Sequence, residues 1–383
     1  MVGLGAAPGW LARAAATSSD PGKRRKILIA IFQRGAVDGL NMVVPYGEQK
    51  YYDIRPNLAV ARDSVLDLDG FFGFHPVMEP LMAAWKDRSL AVVEAAGSPD
   101  PTRSHFDAQD YMESGTPGVK STQDGWLNRA LPPDPKPSPL RAVSLGPALA
   151  RTVRGRQESV AINNLKDFKI PDPRSSQTFE NMYAGALDQV MRGAGRETFN
   201  AVRTVQSVEK GDYAPANGAV YPDSRFGQSM RQIARLIKAD VGLEVAFADK
   251  GGWDTHVNEV PQLNNLLRDF AAGLGAFYQD MGDRMADIVL VTMSEFGRTA
   301  RENGNRGTDH GHANAMLVLG GGVKGGKVYG DWPGLAPDQL YENRDLAVTT
   351  DFRAVLSELV AKQLGSKGLV FPGYSDPKRL GLL

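Results

Sequence analysis

Five histidines occur in 383 residues, and two short motifs around three of them carry the residue types of a metal site. In GGWDTH, Asp254 and His256 stand two residues apart, so in extended backbone a carboxylate and an imidazole point to one side and can share an ion. An aspartate that merely orients a surface histidine has the same pattern. In GTDHGH, His310 and His312 repeat the two-residue relation, and Asp309 lies between Gly307 and Gly311, which let the backbone approach a ligand closely. Two such clusters in one chain favour a divalent metal centre over unrelated surface histidines. Imidazole and carboxylate donors point to zinc first, with iron and manganese as alternatives, and calcium where carboxylates dominate. His75 and His105 also fall in or beside loops.

Other groups extend the pattern. Asp38, in RGAVDGLN, follows a predicted strand between Gly35 and Gly39 and suits a metal ligand low in a cleft, or a plain turn aspartate. In TMSEFGRT, Glu295 brings another carboxylate to the same rim, and Arg298 is either an anion clamp or a solvated charge. In SPDPTRSHFDAQDYMESG, Ser104 stands where a loop turns into a helix and is a good N-cap residue. Its hydroxyl, beside Arg103 and His105, is also placed to attack an anionic centre whose oxygens face the helix dipole, with Thr102 as the substitute. A metal-free serine esterase ranks last, because no G-x-S-x-G elbow is present.

Positioning these groups takes strands that end where the motifs begin. KILIAIFQRG (26–35) is a continuous apolar run broken at glycine, the mark of a strand buried on both faces. Similar runs are LAVVEAAG (90–97), RAVSLG (141–146), EVAFADKGG (244–252), IVLVTMSE (288–295) and AMLVLGGG (315–322). The amphipathic stretch HPVMEPLMAAWKDRS precedes the second of them, giving β-α-β alternation. Between Val260 and Met285, apolar residues recur every three or four positions, which predicts a helix laid on the sheet. DLAVTTDFRAVLSELVAKQLG predicts a last helix, with Thr350 or Asp351 at its start and Gly365 past its end. In open α/β sheets, ligand groups gather at the carboxyl ends of the strands, where most of the histidines fall. Residues 151–240 are polar, with helical stretches from Gln177 to Met191 and from Ser224 to Lys238 and no convincing buried strand; they read as a mainly helical insertion.

Composition narrows the classes. With 44 Lys+Arg against 44 Asp+Glu, no global field argues for a nucleic-acid partner. The absence of cysteine excludes disulfides, thiolate metal sites and a cysteine nucleophile. Residues 1–25 read as a signal-peptide remnant and linker: an apolar small-residue run with an A-x-A-like site at Ala14 to Ala16, lacking the preceding basic segment. That run is too short, and too interrupted by Pro8 and Arg13, to span a bilayer, and no other segment could. A periplasmic or secreted protein is expected, with residues 26–383 as one domain.

The order of RGAVDGLN, SPDPTRSHFDAQDYMESG, GGWDTH, TMSEFGRT and TDHGHAN resembles the alkaline phosphatase and sulfatase superfamily. More closely, from about Lys26 to Gly373, it is similar to a bacterial family of uncharacterised proteins with twin-arginine signal peptides (DUF1501) placed there; no twin arginines precede the apolar run of this sequence. The resemblance implies a three-layer α/β/α sandwich with a mostly parallel central sheet and the helical insertion. It implies Asp38, Asp254, His256 and His310 as metal ligands, with His312 as a further candidate, and hydrolysis of a phosphate or sulfate ester of a small molecule or glycan. Where the superfamily carries an Asp-His pair after the strand IVLVTM, this chain has Ser294-Glu295, which departs from a full two-metal site. The alternative is a non-catalytic, metal-containing protein that binds an anionic glycan or a partner protein.

Overall fold

Residues of the first strand alternate between two cores. Ile27, Ile29 and Ile31 enter one, Leu28, Ala30 and Phe32 the other, and all are buried. A strand apolar on both faces must lie between two layers, and the computed structural model shows this. It describes residues 24–167, 189–211, 213–366, 368–375 and 378–383. The expected signal-like segment, but for its last two residues, lies outside the described residues. So does most of the stretch from Gln177 to Met191.

The main sheet contains β1 (Ile27–Gln33), β2 (Leu90–Gly97), β3 (Ala142–Leu145), β4 (Val160–Ile162), β5 (Val245–Lys250), β6 (Ile288–Met293), β7 (Asn314–Gly320), β8 (Lys327–Tyr329) and β9 (Thr350–Asp351). Its order is β8-β2-β7-β6-β1-β5-β3-β4, with β9 also pairing β2. β1 is central: Leu28 pairs with Val245 of β5 on one side and Val289 of β6 on the other, both parallel. Only β7 runs antiparallel, against both β2 and β6.

Helices cover both faces. In the first core lie α3 (Arg225–Lys238), through Phe226, Met230, Ile233 and Ile237, and α4 (Glu259–Met281), through Leu263, Leu267, Phe270, Leu274 and Phe277. The opposite core takes Phe352, Val355, Leu356 and Leu359 of α5 (Phe352–Gln363), together with Met112 of α1 (His105–Ser114). Each such side chain contributes roughly 1.5–3 kcal/mol by leaving water. The architecture is therefore α/β in three layers around a mostly parallel sheet. Asp351 caps α5 by accepting from the Arg353 N–H, and Gly365 follows the helix at φ +64°.

Three local readings change. The helix expected from Val260 to Met285 ends at Met281 and continues as a 3-10 turn, Gly282–Asp287; Val260 is 40% exposed and outside the apolar stripe. HPVMEPLMAAWK forms a 3-10 segment, Pro76–Leu81, before a short helix, since Pro80 has no N–H for an α-helical ladder. Residues 151–240 do contain a strand: β4 pairs parallel with β3 at the edge of the sheet, too short and too half-exposed to show an apolar run. The same span holds α2 (Gln189–Lys210) and α3.

One consequence of strand direction sets the site. Because β7 is antiparallel to β2 and β6, its start lies at the edge where β1, β2, β5 and β6 end. Segments leaving those strands, and the segment entering β7, must meet there.

Candidate metal centre

Asp254 and His256 follow the end of β5 across a tight turn in which the Thr255 N–H donates to the Trp253 carbonyl at 2.9 Å, and Thr255 is buried while Asp254 and His256 keep partial exposure. His105 is the first residue of α1, reached from the end of β2. His310 precedes β7 and is held in an antiparallel bridge to Arg298, beyond the end of β6. The glycines of GTDHGH serve this packing rather than a ligand: a Cβ on Gly311 would lie 2.3 Å from the Arg298 carbonyl, and one on Gly307 2.3 Å from that of His256.

Four side chains converge. His310 Nε2 lies 3.0 Å from His105 Nε2, 3.1 Å from His256 Nε2 and 3.2 Å from Asp254 Oδ1. Asp254 reaches His105 Nε2 through Oδ2 at 3.4 Å and His256 Nε2 through Oδ1 at 2.8 Å. His105, Asp254 and His310 each offer one donor atom within 4.8 Å of the other two.

Each imidazole is held from behind by an acceptor. His105 Nδ1 faces Glu295 Oε1 at 2.8 Å, His256 Nδ1 faces Asp309 Oδ1 at 2.9 Å, and His310 Nδ1 faces the Arg103 carbonyl at 2.9 Å. Carboxylates and carbonyls only accept, so all three rings carry hydrogen on Nδ1 and present Nε2 to the common centre. Neutral rings in that tautomer turn three lone pairs and a carboxylate toward one another at 2.8–3.4 Å. Four donor atoms at about 2.1 Å from one zinc ion would be spaced at roughly 3.4 Å, so the cluster has the dimensions to hold a divalent cation.

The surrounding charges fix it. Burial raises the Asp254 carboxyl, but the hydrogen bond from Arg298 Nη1 (2.6 Å) and the charges of Arg298, His256 and His105 together outweigh it and hold the group below the usual carboxylate range. The Glu295 hydrogen bond holds His105 above its ordinary value against its partial burial, whereas burial holds His310 below. Glu295 is itself buried, and donors from His105, Gln109 and the Gly35 backbone keep it ionised.

Several expected site residues take other places. Asp38 is no part of the cluster: both its oxygens accept from Arg55, Nη1 at 2.5 Å and Nη2 at 3.0 Å, in a fully buried ion pair. His312 turns away at a bend, with Nε2 on the Ser98 carbonyl at 3.0 Å and its ring against Tyr341. Glu295 and Asp309 stand behind histidines instead of facing the centre. Arg298 is buried and bound to Asp254 and Thr308, hence neither solvated nor open to a ligand. The Arg103 side chain pairs with Glu342 and Asp345, and only its carbonyl touches the cluster. His75 caps the 3-10 segment through Nδ1.

Ser104 is the N-cap of α1, yet its side chain makes no capping hydrogen bond. Thr102 Oγ1 accepts from the Ser104 N–H at 3.3 Å.

Sequence reasoning passed over Gln109, Thr308 and Glu259. Gln109 sits four residues after His105 on one helix face, a spacing that could have flagged it. Thr308 links Arg298 to Glu259, accepting from Nε at 3.1 Å and donating to Oε2 at 2.6 Å; nothing local marks that pair.

The family described as "Protein of unknown function (DUF1501)" matches residues 70–368. No curated protein matches the chain. Similar solved structures include the lipoteichoic acid synthase LtaP from Listeria monocytogenes, with TM-score 0.40 and 10% identity, covering 94% of this chain and 75% of that one. The PsFucS1 sulfatase from Pseudoalteromonas sp. has TM-score 0.40 and 10% identity, covering 94% and 70%. The alkaline phosphatase from Thermus thermophilus has TM-score 0.31 and 14% identity, covering 72% and 60%.

Proposed function

We propose, from the premise that the chain belongs to the DUF1501 family, that it is a metal-dependent hydrolase of phosphate or sulfate esters acting in the cell envelope. The observation that carries the metal is the convergence of three Nε2 atoms, each on a ring whose Nδ1 is fixed by an acceptor, with one carboxylate held by the Arg298 guanidinium. A proton on one imidazole would join only one or two of these atoms, whereas one divalent cation can take all four donors at once. His105, Asp254 and His310 would hold it, with His256 as the fourth donor, and zinc fits three imidazoles and a carboxylate best.

A bound cation would supply Lewis acidity, polarising the ester and neutralising charge as it develops. The chain's own groups do the rest. Glu295, Asp309 and the Arg103 carbonyl keep the rings in register, and Arg298 keeps Asp254 ionised. Ser104 is the proposed attacking hydroxyl: its Oγ is not spent on capping, and it directly precedes His105. No helix among the described residues is long and apolar enough to cross a membrane, so the envelope assignment rests on the signal-like start of the sequence.

Elemental analysis of the purified protein, followed by a panel of phosphate and sulfate esters, tests the reading. Near-stoichiometric zinc and ester hydrolysis lost on chelation are expected, with Ser104→Ala lowering kcat by about 100-fold or more. Hydrolysis that survives chelation would remove the metal mechanism. Bound metal with no turnover on any ester would leave a binding protein in its place.

A further inference from the structure

Beside the cluster, at the same edge of the sheet, a cleft of about 320 Å³ opens where β1, β3 and β5 end. Arg34, the residue after β1, forms its floor. The guanidinium lies over the Phe32 ring, 4.5 Å from its centroid, and bonds Asp249 through Nε, Gln109 through Nη1 and Glu113 through Nη2, at 2.7–3.0 Å. Those three bonds leave two of its five N–H donors over. The two acids of the lining are thereby occupied, and Glu113 also accepts from Thr152.

The rim differs. Arg225 is exposed, with no hydrogen bond or ion pair among the described residues, and its Nη2 overhangs Gly146, 3.5 Å from where a Cβ would stand. Arg154 is exposed too, and only its Nε is engaged, on the Leu149 carbonyl at 2.8 Å. Guanidinium forks are the preferred partners of oxyanions, and two of them unpaired over a third make a local positive field. Acidic and basic residues are equal in number along the chain, so this concentration does not reflect a generally basic surface.

The cleft is joined to the metal centre. Gln109 accepts from Arg34 and donates to Glu295, which holds His105, so the two sites lie on the order of 10 Å apart along three hydrogen bonds.

We propose that the cleft lined by Arg34, Arg154 and Arg225 is an oxyanion subsite, which holds a second acidic group of the substrate while the reacting ester lies at the Asp254 cluster. The subsite itself stands on the cleft alone; assigning its anion to the substrate rests on the hydrolase reading above.

The test separates the two. Full-length protein stripped of metal by chelation is titrated calorimetrically, at low ionic strength, with inorganic sulfate, inorganic phosphate and acetate. Saturable binding is expected, weakened about 10-fold or more by Arg154→Gln combined with Arg225→Gln. Preference for sulfate or phosphate assigns the site to a tetrahedral group, and preference for acetate assigns it to a carboxylate. No binding, or equal binding by the double variant, overturns the subsite. Both changes are on exposed side chains, and unchanged thermal melting confirms that the fold is kept. With metal-loaded protein, the double variant should raise KM for an ester bearing a second anionic group by about 10-fold and leave that of a simple monoester within about 2-fold. Equal effects on both esters overturn the link to substrate, whereas failure of the hydrolase reading alone would leave the anion titration intact.

Discussion

Asp38 and Asp254 both follow a central strand of the sheet, both lie in glycine-rich segments, and their electrostatic fates are opposite. Asp38 meets Arg55, whose five N–H donors are all used, on both oxygens of Asp38 and on Asn41, Thr299 and Ala300. That pair is closed, with nothing left for a ligand. Asp254 meets Arg298 through one oxygen, and the same carboxylate faces three imidazoles that have no other use for Nε2. What separates structure from site here is the balance of donors and acceptors around the carboxylate.

Breaking the closed pair should have the largest effect. Arg55→Ala leaves Asp38 buried without its cationic partner and should destabilise the fold by roughly 3–5 kcal/mol, read from urea unfolding of the metal-free protein. Metal content per folded molecule should not change. Loss of metal with stability intact would return Asp38 to the site. His310→Ala should do the reverse, since His310 touches every other member of the cluster. Metal affinity should fall about 100-fold or more in a chelator competition, while stability of the metal-free protein stays within about 1 kcal/mol.

That contrast also marks how far the sequence could be read. The alternation of Ile27 to Phe32 is a local pattern, and it predicts a doubly buried strand because the pleat has period two. The pair Asp254 and His256 does reach one centre, with Thr255 buried between them, although the chain there makes a tight turn from Trp253 to Thr255 rather than a strand. His310 and His312 have the same spacing, but the chain bends at His312, so the period does not apply and only one of them reaches the centre. In the sequence His105 is a neighbour of the candidate nucleophile Ser104; its place in the cluster depends on β2 and β7 being antiparallel, which no local pattern encodes. Arg55 is 17 residues from Asp38, beyond two short helices, at no periodic spacing. Spacing within an element was legible, and charge pairing between elements was not.

A smaller change sharpens the open side of the comparison. Glu295→Gln keeps an oxygen for His105 Nδ1 and removes the charge that raises that ring, so Nε2 becomes a weaker donor atom. Metal affinity should fall about 10-fold, less than for His310→Ala, with the fold retained. An effect as large as that of His310→Ala would make Glu295 a ligand.

Glu94 shows a third fate for a buried carboxyl, with no hydrogen bond or ion pair to a guanidinium or imidazole among the described residues. It lies within β2, almost wholly buried, and Oε1 has no hydrogen-bond partner. Burial pushes its pKa well above the ordinary carboxyl value, so the folded protein holds this proton more tightly than the unfolded chain does. A raised folded-state pKa contributes stability that is complete below the unfolded value of about 4.3 and is lost as pH rises toward the folded one. Glu94→Gln removes the proton requirement while keeping size and polarity. Its stability should match that of the wild type near pH 4 and exceed it by about 1 kcal/mol at pH 8, by urea unfolding at both pH values. The same difference at both would mean that Glu94 stays ionised in the fold, with a cationic partner that Asp38 needs and Glu94 is here inferred to lack.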